Sequence, residues 1–230
     1  MDAQEIHIIE FKGTGVFNPE TLEAVHTELD AVIADESITA VFLRGEGKSF
    51  SQGLDLEYLM AHQEIFSEFV TATMDLAARL MAFPVPVVSV VNGHAFGLGA
   101  MLVLASDYAV MREDRGFFCL PEINIGMTLT VRMNALVQSR MSPIAVRDCL
   151  LTGAHIPAHK ALQLGIVDAI APEEELYTRA VELSEPMRGK PRHLLSGLKY
   201  GQNKVLVDLI KSDAADDPIT APTFWSSRVI

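Results

Sequence analysis

Two glycine-bearing turns and one carboxylate are the residues whose types and order in this chain could do chemistry. The first turn is Ser51-Gln52-Gly53-Leu54-Asp55-Leu56 and the second is Gly97-Leu98-Gly99, each just ahead of an expected helix start. The first amides of a helix have no acceptor within it, so such a turn aims backbone N–H groups at whatever lies in front. Two such turns converging from separate parts of the chain would hold negative charge developing on a carbonyl oxygen. Glu122, in Leu120-Pro121-Glu122, supplies a carboxylate further along. Taken singly, either turn is only a tight bend and Glu122 only an acid after a proline.

Other motifs fail on their own spacing. Gly47-Lys48-Ser49 would need a glycine five positions before Gly47 to be a phosphate loop, and Phe42 stands there. Gly97-Leu98-Gly99 lacks the third glycine of a dinucleotide fingerprint, whose place is taken by Leu102. His155 and His159 are separated by Pro157 and lack a third ligand nearby, which argues against a metal site. His94 reads as a packed ring rather than a base, and Asp55 and Asp107 as caps or acceptors of backbone hydrogen bonds.

The element that must position these groups is the stretch from Pro84 to Leu104. Val87–Val91, β-branched except at Ser89, predicts a strand buried on both faces. Asn92-Gly93 breaks it, and Ala100–Ala105 predicts a buried helix. The stretch is apolar and long enough to suggest a membrane span, but its two prolines, three glycines, Asn92 and His94 exclude one. Upstream, Ile6–Phe11 predicts a strand, and Asn18-Pro19-Glu20 starts a helix with Leu22, Val25, Leu29, Val32 and Ile33 on one face. A strand at Ala40–Arg44, a loop over 45–56 and a helix over 64–82 come next. Downstream come a strand at 107–111, helical pattern from 128 to 164, a strand at 166–171 and helices over 173–187 and 192–210. This alternation indicates α/β architecture with crossover connections.

The chain has 230 residues, about half of them hydrophobic, enough for one sizeable core. A formal net charge of −12 argues against nucleic acid or an anionic membrane as partner. Cys119 and Cys149 are too few for a disulfide framework and predict reduced core thiols and a cytoplasmic compartment. The acidic N-terminus carries neither a signal nor a transit pattern. Residues 212–230 read as a loose tail.

Five blocks in order make the chain resemble the crotonase, or enoyl-CoA hydratase/isomerase, superfamily. They are FSQGLDL (50–56), VNGHAFGLGA (91–100), SDYAV (106–110), PEINIG (121–126) and LTGAHIPAHKALQLGIVD (151–168). The resemblance implies a spiral of ββα turns over residues 1–187, a C-terminal helical segment at 188–211 that serves oligomerisation, and a homotrimer or dimer of trimers. It implies an acyl-CoA substrate, with coenzyme A as part of the substrate and no other cofactor. By position, the oxyanion donors would be the backbone N–H groups of Leu54 and Leu98, with Ser51, Gln52, Gly53, Gly97 and Met101 around the substrate. Lys48, Arg44, Arg112 and Arg115 are candidates for the CoA phosphates.

The departures from the family pattern narrow the reaction. Hydratases of this family carry two glutamates that activate water; the first falls at Met101 and the second matches Glu122. One carboxylate is the arrangement of the Δ3,Δ2-enoyl-CoA isomerase branch, which implies that Glu122 is the sole acid–base group. A base of this kind needs an apolar wall to raise its pKa, for which Phe117, Phe118, Leu120 and Ile123 are the local candidates. The alternatives are another CoA-thioester reaction on the same scaffold, such as hydration, and a non-catalytic acyl-CoA-binding protein.

Overall fold

A computed structural model describes residues 6–212; the tail expected beyond Ser212 lies outside the described residues. The chain winds through four similar turns, each a strand, a shorter second strand and a helical segment. The first is β1 (Ile6–Phe11), β2 (Val16–Phe17) and α1 (Pro19–Ala34). The second is β3 (Ala40–Gly45), β4 (Ser49–Ser51), β5 (Gly53–Leu54), α2 (Leu56–Ala61) and α3 (Phe66–Met81). The third is β6 (Val87–Val91), β7 (His94–Phe96) and α4 (Leu98–Ala105). The fourth is β8 (Tyr108–Arg112), β9 (Phe118–Cys119), α5 (Val131–Arg140), α6 (Pro143–Leu150) and α7 (Ala158–Gln163). The fold closes with β10 (Ala169–Ala171), α8 (Leu176–Ser184) and α9 (Arg192–Lys211).

The first strands of each turn and β10 form one parallel sheet in the order β1-β3-β6-β8-β10. The shorter strands β4-β7-β9 make a second parallel sheet, and β2 pairs with β5. Parallel neighbours need crossovers, which the helices supply, so the large sheet is covered on both faces. Val87 and Val91 of β6 face the main core, while Val88 and Val90 join Phe42, Val110, Leu176 and Ala180 on the other side. The valines on both faces of β6, Val87, Val88, Val90 and Val91, follow from that double burial.

Local chemistry sets the helix starts. Asn18 caps α1 by accepting from Thr21 N–H, while Thr21 Oγ1 accepts from the Asn18 amide, a reciprocal box. Asp55, Thr130 and Ser142 cap α2, α5 and α6 more simply, their side-chain oxygens accepting from the amides of Tyr58, Met133 and Ala145. On the far side, Lys199 of α9 is 4% exposed and ties that helix to the central strands. Its Nζ donates to Asp107 Oδ2 at 2.6 Å, and Val87 N–H donates to the same oxygen at 2.8 Å.

Three expectations are corrected. Residues 45–56 are not only a loop: they hold β4 and β5, strands too short to show a period in sequence. Asn92-Gly93 leads into β7 rather than straight to a helix, and α4 begins at Leu98, two residues earlier than its apolar run suggests. Ile33, one residue past Val32 in the last turn of α1, falls off the buried stripe and is 48% exposed. Among the described residues no helix is long and apolar enough to cross a membrane.

Candidate active site

The two turns meet because glycine allows their backbones to touch. Gly53 has φ +85°, and a Cβ there would stand 2.7 Å from Phe96 O and 3.0 Å from Leu98 N. A Cβ on Gly99 would lie 2.6 Å from Ser51 O and 2.7 Å from Ser51 Cβ. Only residues without side chains permit that approach. Gly97 takes φ +51° at the position before α4 and has no side chain to cap the helix. Leu98 is therefore the first helical residue, and its N–H has no acceptor within the helix. Amides flanking the two leucines are already committed: Gly53 N–H to Ser51 Oγ, Asp55 N–H to Phe17 O, and Gly97 N–H to Cys119 O.

One narrow cleft runs in front of these turns. Gln52, Leu54 and Leu56 border it from the first turn, and Gly97, Leu98 and Met101 from the second. Pro121, Glu122, Ile125, Met127, Leu129 and Met133 complete its lining. The structure thus brings Gln52, Leu54, Gly97, Leu98, Met101 and Glu122 to one place. Ser51 and Gly53 do not border the cleft. They lie behind it, with Ser51 Oγ bridging Gly15 O and the Gly53 amide.

Glu122 opens a single turn of 3-10 helix at 122–125 and is 7% exposed. Its Oε2 is buried without a hydrogen-bond partner among the described residues. Burial disfavours the charged carboxylate and pushes its pKa from 4.5 up to about 7, only partly opposed by its own backbone. A base with a pKa near neutrality is well matched to proton transfer at neutral pH.

The wall that does this differs from the expected one. Phe118 and Leu120 are buried in the core, Ile123 is 55% exposed, and Phe117 stacks on His155; none borders the cleft. The apolar residues that border the cleft with Glu122 are instead Leu54, Leu56, Leu98, Met101, Ile125, Met127, Leu129 and Met133, most of them brought in by the crossovers. Met133 had a sequence signal, since it lies in the helical pattern after 128, but nothing in that pattern says which helix faces Glu122.

The remaining residues have structural partners. His94 packs against Phe96 and Phe117, and burial, with Arg115 and His155 nearby, lowers its pKa. Asp55 caps α2, and Asp107 accepts from Val87 N–H and Lys199. Arg112 pairs with Asp114 and Glu173 at 2.6 and 2.5 Å. Arg44 and Lys48 are exposed. Cys119 and Cys149 are buried thiols with pKa values pushed up to about 11 by burial.

A family model described as enoyl-CoA hydratase/isomerase matches residues 5–214. Enoyl-CoA delta isomerase 3 of Arabidopsis thaliana is 33% identical, over 76% of this chain and 76% of its own. A putative enoyl-CoA hydratase of Thermus thermophilus is 36% identical, over 73% of this chain and 67% of its own. The crystal structure of human mitochondrial delta3-delta2-enoyl-CoA isomerase is 25% identical with a TM-score of 0.80, covering 91% of this chain and 84% of that one.

Proposed function

Because the chain belongs to the enoyl-CoA hydratase/isomerase family, we propose that it moves the double bond of a 3-enoyl-CoA from position 3 to position 2. The observation that carries this reading is a buried carboxylate with no second one beside it among the described residues that border the cleft. Glu122 borders the cleft, and Met101, which can neither give nor take a proton, stands where the family's hydratases have their other glutamate.

In this mechanism the thioester oxygen accepts from the Leu54 and Leu98 amides. Glu122 removes a proton from C2, and the electron pair of the broken C–H bond delocalises through the thioester onto that oxygen, giving a dienolate. The same carboxyl group then returns the proton to C4, the oxygen's charge collapses, and the double bond stands between C2 and C3. The amides are asked to lower the dienolate by several kcal/mol; loss of one such donor in other enzymes costs about 2.7–4 kcal/mol. The methionine and leucine wall both raises the pKa of Glu122 and fits an alkenyl chain. Met side chains suit such a wall because they are long and adaptable.

No resident cofactor is needed, since coenzyme A arrives with the substrate. The exposed Leu194, Leu198 and Val205 of α9 support a role for residues 188–211 in contacts between copies, as a trimer or dimer of trimers. A cytoplasmic site agrees with buried, reduced thiols. The Thermus relative's name favours hydration as a second reading, and Met101 speaks against it. The experiment is isomerisation of a 3-enoyl-CoA by the parent and by Glu122→Gln. Loss of activity in the variant supports the reading, and a variant as active as the parent removes it.

A further inference from the structure

We propose that Asn124 is a positioning residue, holding Glu122 at its depth in the cleft by bonding to the carbonyl of Gly153; this rests on the reading of Glu122 as the acid–base group. The turn that carries Glu122 has little of its own to fix it. It is one 3-10 turn, closed by bonds from the Asn124 and Ile125 amides to Pro121 O and from the Met127 amide to Glu122 O. Its two isoleucines, Ile123 and Ile125, are 55% and 43% exposed, so packing anchors it weakly.

The Gly153 carbonyl supplies the anchor from outside. It accepts from Asn124 Nδ2 at 2.9 Å and from Cys119 Sγ at 3.6 Å. One oxygen therefore ties a residue before Glu122 and a residue after it to the same point. The strand leading in is held to the same segment again, because Phe118 and Ile156 exchange two 2.9 Å backbone bonds. Gly153 is shaped for this contact: it has φ +60°, and a Cβ there would lie 2.3 Å from Asn124 Nδ2 and 2.7 Å from its Cγ. A side chain at 153 would push the amide off the carbonyl. The turn between α6 and α7, which does not itself border the cleft, thus sets where the carboxylate sits.

The test uses Asn124→Ala, Asn124→Asp, Asn124→Gln and Gly153→Ala in the full chain, with kcat and KM for a 3-enoyl-CoA measured against pH. Asn124→Ala should lower kcat by about tenfold to a hundredfold, the range that small misplacements of a reacting group produce, with KM little changed. The acid limb of its pH profile should move down by on the order of one pH unit as the carboxylate gains water. Asn124→Asp, which sets an oxygen against the Gly153 oxygen, should be at least as damaged, and Asn124→Gln, which keeps a donor, less so. Because Gly153→Ala breaks the same contact, the Asn124→Ala, Gly153→Ala double variant should be no worse than the more damaged single variant. An unmoved acid limb in Asn124→Ala, or additive losses in the double variant, overturns the proposal. If Glu122→Gln is inactive in that case, the proposed function stands and only this inference falls; full activity in Glu122→Gln overturns both.

Discussion

Gly97 lies so close to Glu122 that a Cβ added to the glycine would stand 3.9 Å from the carboxylate Oε1. The glycine that opens α4 and the acid that opens the 3-10 turn come from successive windings of the chain. Their adjacency places the buried carboxylate beside the helix start whose first amide is Leu98.

If Glu122 is the acid–base group proposed, activity should depend on pH in a definite direction. With a pKa of about 7 raised by burial, the base is progressively protonated below neutrality. For isomerisation, kcat/KM should fall as pH drops through about 7, and an acid limb near the ordinary carboxylate value of about 4.3 would contradict the burial argument.

The same shift makes a stability prediction of opposite sense. The folded-state pKa is above the unfolded value, so the fold binds the proton more tightly, and stability falls as pH rises from about 4.5 through about 7. The difference corresponds to roughly 3 kcal/mol once both states are ionised. Glu122→Gln should therefore be more stable than the parent by up to that amount at pH near 8, and about equal to it at pH near 4, in denaturant melts.

Gly53→Ala should damage catalysis beyond its effect on folding. Its Cβ would press Phe96 O and Leu98 N apart at a residue with φ +85°. Moving an oxyanion donor should cost about 10²–10³ in kcat. Equal isomerisation by a folded Gly53→Ala protein, judged by melting and kinetics together, would refute the role given to the second turn.

On the proposed reading, Met101 separates isomerisation from hydration. The parent should give almost no hydration of crotonyl-CoA, because among the described residues that border the cleft Glu122 is the one carboxylate. Met101 is 1% exposed, so Met101→Ala should cost about 2–5 kcal/mol of stability.

Lys199→Met should destabilise the fold through its partner. It leaves Asp107 with the Val87 amide but without its ammonium, in a site where Lys199 is 4% exposed. Breaking one side of such a pair costs about 3–5 kcal/mol. The residue does not border the cleft, so the protein that does fold should keep the parent kcat.

The sequence alone determined whatever depends on neighbours along the chain. The Asn18, Asp55 and Ser142 caps, the doubly buried β6, the α/β alternation and the two glycine turns all follow from local backbone chemistry and short-range period, and five motif blocks pointed to the family. The tertiary structure alone decided what touches what. The short strands β4, β5, β7 and β9 have no period to read and exist because parallel neighbours complete their hydrogen bonds. The neighbours of Glu122 in sequence that could wall it, Phe117, Phe118, Leu120 and Ile123, do not border the cleft, whereas Met101, Met127 and Met133 do. That difference has a simple cause: a pKa is raised by every group that excludes water from a carboxylate, and in a spiral of crossovers those groups arrive from other windings of the chain.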